Sequence, residues 1–263
     1  MSVMDEFRLD GDTALVTGGA SGIGRACCEA VAEAGADVAV ADVDVEGAQE
    51  TADEIEDETG STAVAVEVDV RSREEIDEMV ERTVDELGSL DVAFANAGVA
   101  ELEPSVEQYD ESTWDRVMDV NLRGVFLTNR AAAEQMKRQE DGGVIVNTSS
   151  IYAFVADRTL GLPAYTASKA GIRQLTQAMA TKLAPEIRVN AVAPGAVRTD
   201  IGAGFMKEGS GFDEVQEMIR ERTLLDRLAE PEDVKGMAVY LASDASSYCT
   251  GYTYAVDGGW LSV

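Results

Sequence analysis

The chain has 263 residues, 45% hydrophobic and 27% charged, enough for one sizeable core at the upper end of single-domain length. It contains no histidine, and 50 Asp and Glu stand against 21 Lys and Arg, a formal net charge of -29. The first fact excludes a Ser-His-Asp triad, a His-paired cysteine nucleophile and imidazole metal ligands; the second argues against nucleic acid and anionic membrane surfaces as partners, because both are held by clustered Lys and Arg.

The first apolar run, Thr13–Thr17, reads as a buried strand that passes straight into Thr17-Gly18-Gly19-Ala20-Ser21-Gly22-Ile23-Gly24. Glycines allow a tight turn and a close backbone approach, and the helix opening there turns free amides and a positive dipole end outward. The spacing Gly18-x3-Gly22-x-Gly24 differs from GxGxxG and lacks the Lys-Ser/Thr of a nucleotide-hydrolysing loop, but a strand before and a helix after make it a phosphate-binding turn. The helix spans 22–35, with Ile23, Cys27, Ala30, Val31 and Ala34 at helical spacing and Gly35 as its stop.

A second strand, 37–41, leads to Asp42, 18 residues beyond Gly24 and near the position of an acid that accepts hydrogen bonds from an adenosine ribose. A carboxylate there repels a 2′-phosphate, no basic residue occupies 19–21, and Val43 follows, so the pattern favours NAD over NADP. A helix over 46–59 ends at Gly60, and a strand at 63–68 is followed by a helix over 72–87. Ser72 and Glu75 make a capping box at its start, and Ile76, Met79, Val80, Thr83 and Leu87 mark its inward face.

Strands follow at 90–95 and 143–148 around a helix over 112–139, then a helix over 163–184 and strands at 187–193 and 253–256. Alternating helices and nearly continuous apolar strands predict a single-domain α/β fold of the Rossmann type: a doubly wound parallel sheet of about seven strands with helices on both faces. The Gly-rich stretch 200–222 breaks the rhythm and reads as a substrate lid.

Between residues 37 and 87, 19 acidic residues face 3 basic ones, a pattern of solvated helix faces. Chain-wide, with only 5 Lys, the composition resembles that of halophilic proteins, in which concentrated salt screens self-repulsion. Cys27 and Cys28 are adjacent and cannot easily bridge each other, Cys249 has no obvious partner, the N-terminal residues lack a signal pattern, and no apolar run nears the ~20 residues that span a bilayer. A reducing cytoplasm is the expected location.

Tyr165 and Lys169 lie four apart on one helical face. An ammonium within a few Å favours the phenolate of a tyrosine whose ordinary pKa is about 10, so this pair can supply the proton chemistry that the missing histidines cannot. Ser149 and Ser150 close the preceding strand, where the ligand crevice of an open parallel sheet lies.

With these residues in place the sequence resembles the short-chain dehydrogenase/reductase family over almost its whole length. Thr17-Gly18-x3-Gly22-x-Gly24 looks like the family's cofactor turn, with Ser21 and Ile23 inside it; Asp69-Val70 looks like its adenine-contacting pair, and Asn96-Ala97-Gly98 like its motif after the fourth strand. Pro194-Gly195 with Val197 and Thr199 looks like the segment that grips the nicotinamide carboxamide, and Val256-Asp257-Gly258-Gly259 like the C-terminal signature.

Asn121, Ser150, Tyr165 and Lys169 match the catalytic tetrad. By this resemblance Tyr165 is the general acid/base, Lys169 lowers its pKa and binds the nicotinamide ribose, Ser150 holds the substrate oxygen, and Asn121 orders a relay water. The interval from Ser150 to Tyr165, 15 residues, is longer than the family's usual one, which leaves Ser149 as the alternative to Ser150. No metal is expected.

The tail from Asp226 to Leu261 looks like members acting on sugars and sugar acids, especially 2-keto-3-deoxygluconate-type dehydrogenases. An acid substrate could meet Arg158 bidentately. The expected activity is NAD-dependent hydride transfer to or from a secondary alcohol of such a small molecule; a 3-oxoacyl-thioester reductase and a non-catalytic dinucleotide-binding regulator are the alternatives. The resemblance also implies a homotetramer, with 112–139 and 163–184 offering the apolar faces.

Overall fold

The structure, a computed structural model, describes residues 2–100, 106–139, 141–156, 162–199, 217 and 219–262. The apolar runs form β1 (Thr13–Thr17), β2 (Asp37–Asp42), β3 (Ala63–Glu67), β4 (Val92–Ala95), β5 (Gly143–Thr148), β6 (Ile187–Pro194) and β7 (Thr253–Val256). They make one parallel sheet in the order β3-β2-β1-β4-β5-β6-β7. Between them stand α1 (Gly22–Glu33), α2 (Val45–Thr59), α3 (Arg73–Leu87), α4 (Glu111–Met118), α5 (Val125–Gln139), α6 (Pro163–Leu183) and α7 (Glu232–Ala242).

Strand pleating divides the core in two. Ala14, Val16, Val38, Val40, Val144 and Val146 point to one face, where Val31 of α1, Ile55 of α2 and Leu241 of α7 cover them. Leu15, Ala39, Ala41 and Ile145 point to the other, under Met79 of α3, Met136 of α5 and Leu183 of α6. This is why the strands read as unbroken apolar runs: each alternate residue has its own layer of helices.

Three local features depart from the sequence reading. The predicted helix 112–139 is interrupted by a π-helical turn at Asp119–Gly124, whose wider winding has no signature in the apolar spacing. Ser72 caps α3 by accepting from the Glu75 amide at 3.3 Å, but the Glu75 carboxylate accepts from the Asp69 amide at 2.7 Å, because the Ser72 amide is already bonded to the Asp69 carbonyl. Finally, α7 forms over a stretch for which the sequence pattern names no element, although its buried Val234, Ala238 and Leu241 lie at helical spacing.

Arg158 and residues 200–216 and 218 of the predicted lid lie outside the described residues. Among the described residues no helix is long and apolar enough to cross a membrane, and no cluster of His, Cys, Asp or Glu could hold a metal ion.

Candidate active site

The sheet order reverses between β1 and β4, so their carboxyl ends diverge and leave a crevice. The glycine turn after β1 packs directly on the exit of β4. A Cβ on Gly24 would stand 1.8 Å from the Gly18 carbonyl oxygen, and one on Gly18, whose φ is +72°, would stand 2.9 Å from Ala97 Cα. The Thr17 hydroxyl accepts from the amides of Asn96 and Ala97 at 3.0 and 3.2 Å. The Asn96 side chain donates to the carbonyls of Thr17 and Gly18 and accepts from the Thr148 hydroxyl at 3.0 Å, tying the ends of β1, β4 and β5 together.

A cleft of about 580 Å³ runs over this turn, lined by Gly18, Ser21, Gly22, Ile23, Gly24, Asp42, Asp69, Val70, Asn96, Ala97, Gly98 and Thr199 from the sequence reading. Ser21 caps α1 without a side-chain hydrogen bond, so the first amides of the helix are not consumed by their own cap. A cleft of this volume, a turn that excludes Cβ atoms and an open helix N-terminus fit a dinucleotide.

Asp42 lines the cleft at the end of β2, and its carboxylate accepts from the amides of Ala20 at 3.1 Å and Asp44 at 3.0 Å. It therefore braces the glycine turn as well as facing the cleft. Asp69 is gripped by Arg71 through its Nε at 2.9 Å, which holds the carboxyl below its ordinary pKa. Arg71 and Arg116 line the same cleft, cations that spacing around Asp42 did not reveal.

Next to the cleft, and sharing Ile23, Asn96 and Thr199 with it, lies a cavity of about 110 Å³. Ser150, Tyr165, Lys169, Pro194, Gly195 and Val197 line it, together with Ala100, Ile151, Tyr152, Leu162, Ile219 and Trp260. The two serines of β5's exit divide their tasks. The Ser149 hydroxyl donates to the Lys169 carbonyl at 3.0 Å and pins α6, whereas the Ser150 side chain is hydrogen-bonded to Tyr165 and accepts from the Tyr152 amide at 3.2 Å. Geometry thus selects Ser150 for contact with the phenol.

Pro163 starts α6 at a position where its missing N–H costs nothing, which sets Tyr165 in the first turn and Lys169 one turn later. Lys169 is buried, with its Nζ donating to the Thr148 carbonyl at 2.9 Å and lying 5.4 Å from the centroid of the Tyr165 ring. Burial brings its pKa down to about 8. Burial also pushes the Tyr165 phenol up, opposed by the hydrogen bond with Ser150.

Asn121 sits in the π-helical turn, fully buried, and lines neither cavity. Its amide clasps Val99 on both backbone atoms, at 2.8 and 2.9 Å, and donates to the Ser168 hydroxyl at 3.2 Å; that hydroxyl in turn donates to the Tyr165 carbonyl at 2.7 Å. Its side chain holds the β4 exit against the Tyr165 turn.

These features can be set beside known proteins. A family model described as enoyl-(acyl carrier protein) reductase matches residues 18–261. Sorbose reductase of Schizosaccharomyces pombe is 37% identical, over 97% of this chain and 98% of that protein. The chain belongs to the short-chain dehydrogenase/reductase family.

Another relative of this short-chain dehydrogenase/reductase, the 2-dehydro-3-deoxy-D-gluconate 5-dehydrogenase of Escherichia coli, is 34% identical over 99% of each chain. The crystal structure of a gluconate 5-dehydrogenase from Burkholderia cenocepacia in complex with NADP and tartrate superposes with a TM-score of 0.91 at 32% identity, covering 100% of both chains. The chain is thus an oxidoreductase, and several of its relatives are named for sugars and sugar acids. The cavity also takes in Tyr152, Trp260 and Ile219, the last from the stretch 200–222 read as a lid, none of which the catalytic motifs name. Tyr152 had one available signal, its place two residues after Ser150; Ile219 and Trp260 come from distant parts of the chain and meet only in the fold.

Proposed function

We propose that the protein is a cytoplasmic, NAD-dependent dehydrogenase that oxidises a secondary hydroxyl of a sugar or sugar acid, or reduces the corresponding ketone. The observation that carries this reading is the convergence of the Ser150 hydroxyl, the Tyr165 phenol and the Lys169 ammonium in one cavity that opens beside the dinucleotide-sized cleft. The nicotinamide, when bound, supplies the hydride acceptor or donor. Ser150 and Tyr165 bind the substrate oxygen, Tyr165 takes its proton in oxidation and returns it in reduction, and Lys169 sits behind the ring as the local positive charge. Asn121 acts through Ser168 on the position of Tyr165 and keeps the Val99 turn in register.

Asp42 supports NAD: its carboxylate stands at the end of β2 in the cleft wall beside Val43, where an added 2′-phosphate would meet negative charge. Arg71 is paired to Asp69. The homotetramer is supported by an open apolar groove between the π-helical turn with the start of α5 and the face of α6, with Leu122, Leu175 and Ala178 in its wall and Phe126 exposed by 44%.

Fluorescence titration with NADH and NADPH, followed by a screen of polyols, aldoses, aldonates and 3-oxoacyl thioesters in high KCl, tests the reading. Tighter binding of NADH and turnover of a polyol or aldonate are expected. Tighter binding of NADPH, or turnover of the thioesters alone, would overturn it.

A further inference from the structure

Apart from Ser150 and Tyr165, the polar side chains of the described cavity wall are largely committed to the protein itself. Asn96 is bonded to the carbonyls of Thr17 and Gly18 and to the Thr148 hydroxyl, the Ser149 hydroxyl donates to the Lys169 carbonyl, and the Lys169 Nζ donates to the Thr148 carbonyl. Thr199 belongs to the side shared with the cleft, where its methyl would stand 3.1 Å from a Cβ on Gly22.

Much of the remaining described wall is hydrocarbon: Ala100, Ile151, Leu162, Val197, Ile219 and Trp260, all buried. Trp260 packs on Ile151, Ile219 and Leu228, and the Asp257 carboxylate fixes its turn by accepting from the amides of Gly259 and Leu261, both at 2.9 Å. The Tyr152 ring adds a further flat surface, edge-on to the Tyr165 ring with 6.1 Å between centroids.

A hydroxyl carried against such a wall loses water without gaining a partner, whereas a C–H surface gains by leaving water. Recognition therefore falls on the carbon framework around the reacting carbon. A cavity of about 110 Å³ suits a compact framework, and a saturated ring presents one with fewer rotors to freeze than an open chain. An aromatic ring bearing the hydroxyl is excluded, since its carbon has no C–H bond from which hydride could leave.

We propose that this cavity also takes an alicyclic secondary alcohol, a saturated ring carrying one reacting hydroxyl, and the matching cyclic ketone. The inference rests on the dehydrogenase reading of Ser150, Tyr165 and Lys169 and goes beyond the sugar substrates by adding a class recognised through its apolar ring. In oxidation the carbinol C–H bond breaks with its electron pair passing as hydride to NAD⁺, the oxidant. The O–H bond gives its proton to the Tyr165 phenolate and its electron pair to the new C=O bond.

The test measures oxidation of cyclohexanol and of sorbitol, a polyol of the same carbon number, with NAD⁺ in wild type, I219V and I219T. The two variants remove the same carbon from the wall, but only I219T puts a hydroxyl there; NADH affinity controls for folding. In wild type, kcat/KM for cyclohexanol should at least equal that for sorbitol. From I219V to I219T it should fall about tenfold for cyclohexanol, the scale of a mismatched group in an apolar pocket, with sorbitol turnover and NADH affinity little changed. Oxidation of sorbitol without cyclohexanol, or equal cyclohexanol kinetics in I219V and I219T, overturns the proposal and leaves the dehydrogenase reading standing. A wild type that binds NADH but oxidises no polyol, aldonate or alicyclic alcohol defeats the dehydrogenase reading, and this proposal with it.

Discussion

Lys169 approaches Tyr165 through the face of its ring: the ammonium lies 5.4 Å from the ring centroid and is anchored at 2.9 Å to the Thr148 carbonyl, while the phenol is hydrogen-bonded to Ser150. Replacing Tyr165 by Phe removes the proton carrier without changing the walls of the dinucleotide cleft, which Tyr165 does not line. Turnover should fall at least 10³-fold, within the range that general acid–base groups contribute, with NADH affinity within threefold of wild type. Near-normal turnover in this variant would refute the role of Tyr165.

Because burial holds the phenol above its ordinary pKa, oxidation, which needs phenolate, should climb with pH across the alkaline range, and reduction, which needs the phenol, should fall across it. Ser150→Ala removes the one hydrogen bond that pulls the phenol down, so its pH–rate profile should move further alkaline as well as lower. A profile that stays in place would show that Ser150 does not tune Tyr165.

Lys169 adds a stability signature of definite sign. Its folded pKa of about 8 lies below the ordinary 10.5, so between these values the unfolded chain binds the extra proton and stability should rise with pH, by up to about 3 kcal/mol if the shift is fully realised. Lys169→Met should abolish that rise along with turnover. Denaturant midpoints measured from pH 7.5 to 10.5 in wild type and variant check both.

Asp12 gives the opposite dependence. Burial and the neighbouring charges of Asp91, Asp244 and Asp10 raise its pKa to about 6, above the 3.8 of an ordinary aspartate. Its contribution is fully present below the unfolded value and is lost as pH rises through the folded one. Asp12→Asn should therefore stabilise the protein by about 1 kcal/mol at pH 7 in low salt, a figure discounted for partial exposure, and by less in molar KCl. Wild-type thermal midpoints should rise from low to molar KCl; a flat response would count against a salt-adapted composition.

Gly24→Ala is the most local test of the cofactor turn. The new Cβ has only 1.8 Å to the Gly18 carbonyl oxygen, so the turn must open. NADH affinity should drop by at least thirtyfold, about 2 kcal/mol. An alanine variant that titrates like wild type would mean that the turn does not carry the pyrophosphate.

Much of this protein was decided by local pattern. Apolar runs of β-branched residues named every strand to within two residues, since a strand buried on both faces leaves no polar alternation to misread. The glycines of the first turn and the four-residue step from Tyr165 to Lys169 are likewise local, set by backbone sterics and helical pitch. Tertiary structure decided what depends on contacts between distant residues. It chose Ser150 over Ser149 by turning one hydroxyl to the phenol and the other to α6, and it put a π-helical turn where a plain helix was expected so that Asn121 could clasp Val99. It anchored Lys169 to the Thr148 carbonyl, and it brought Ile219 and Trp260 to the cavity wall from segments far from the catalytic motif. Charge, pitch and pleat act over a few residues and are written in the sequence; hydrogen-bond partners and cavity walls are fixed only when the sheet closes its two layers of helices.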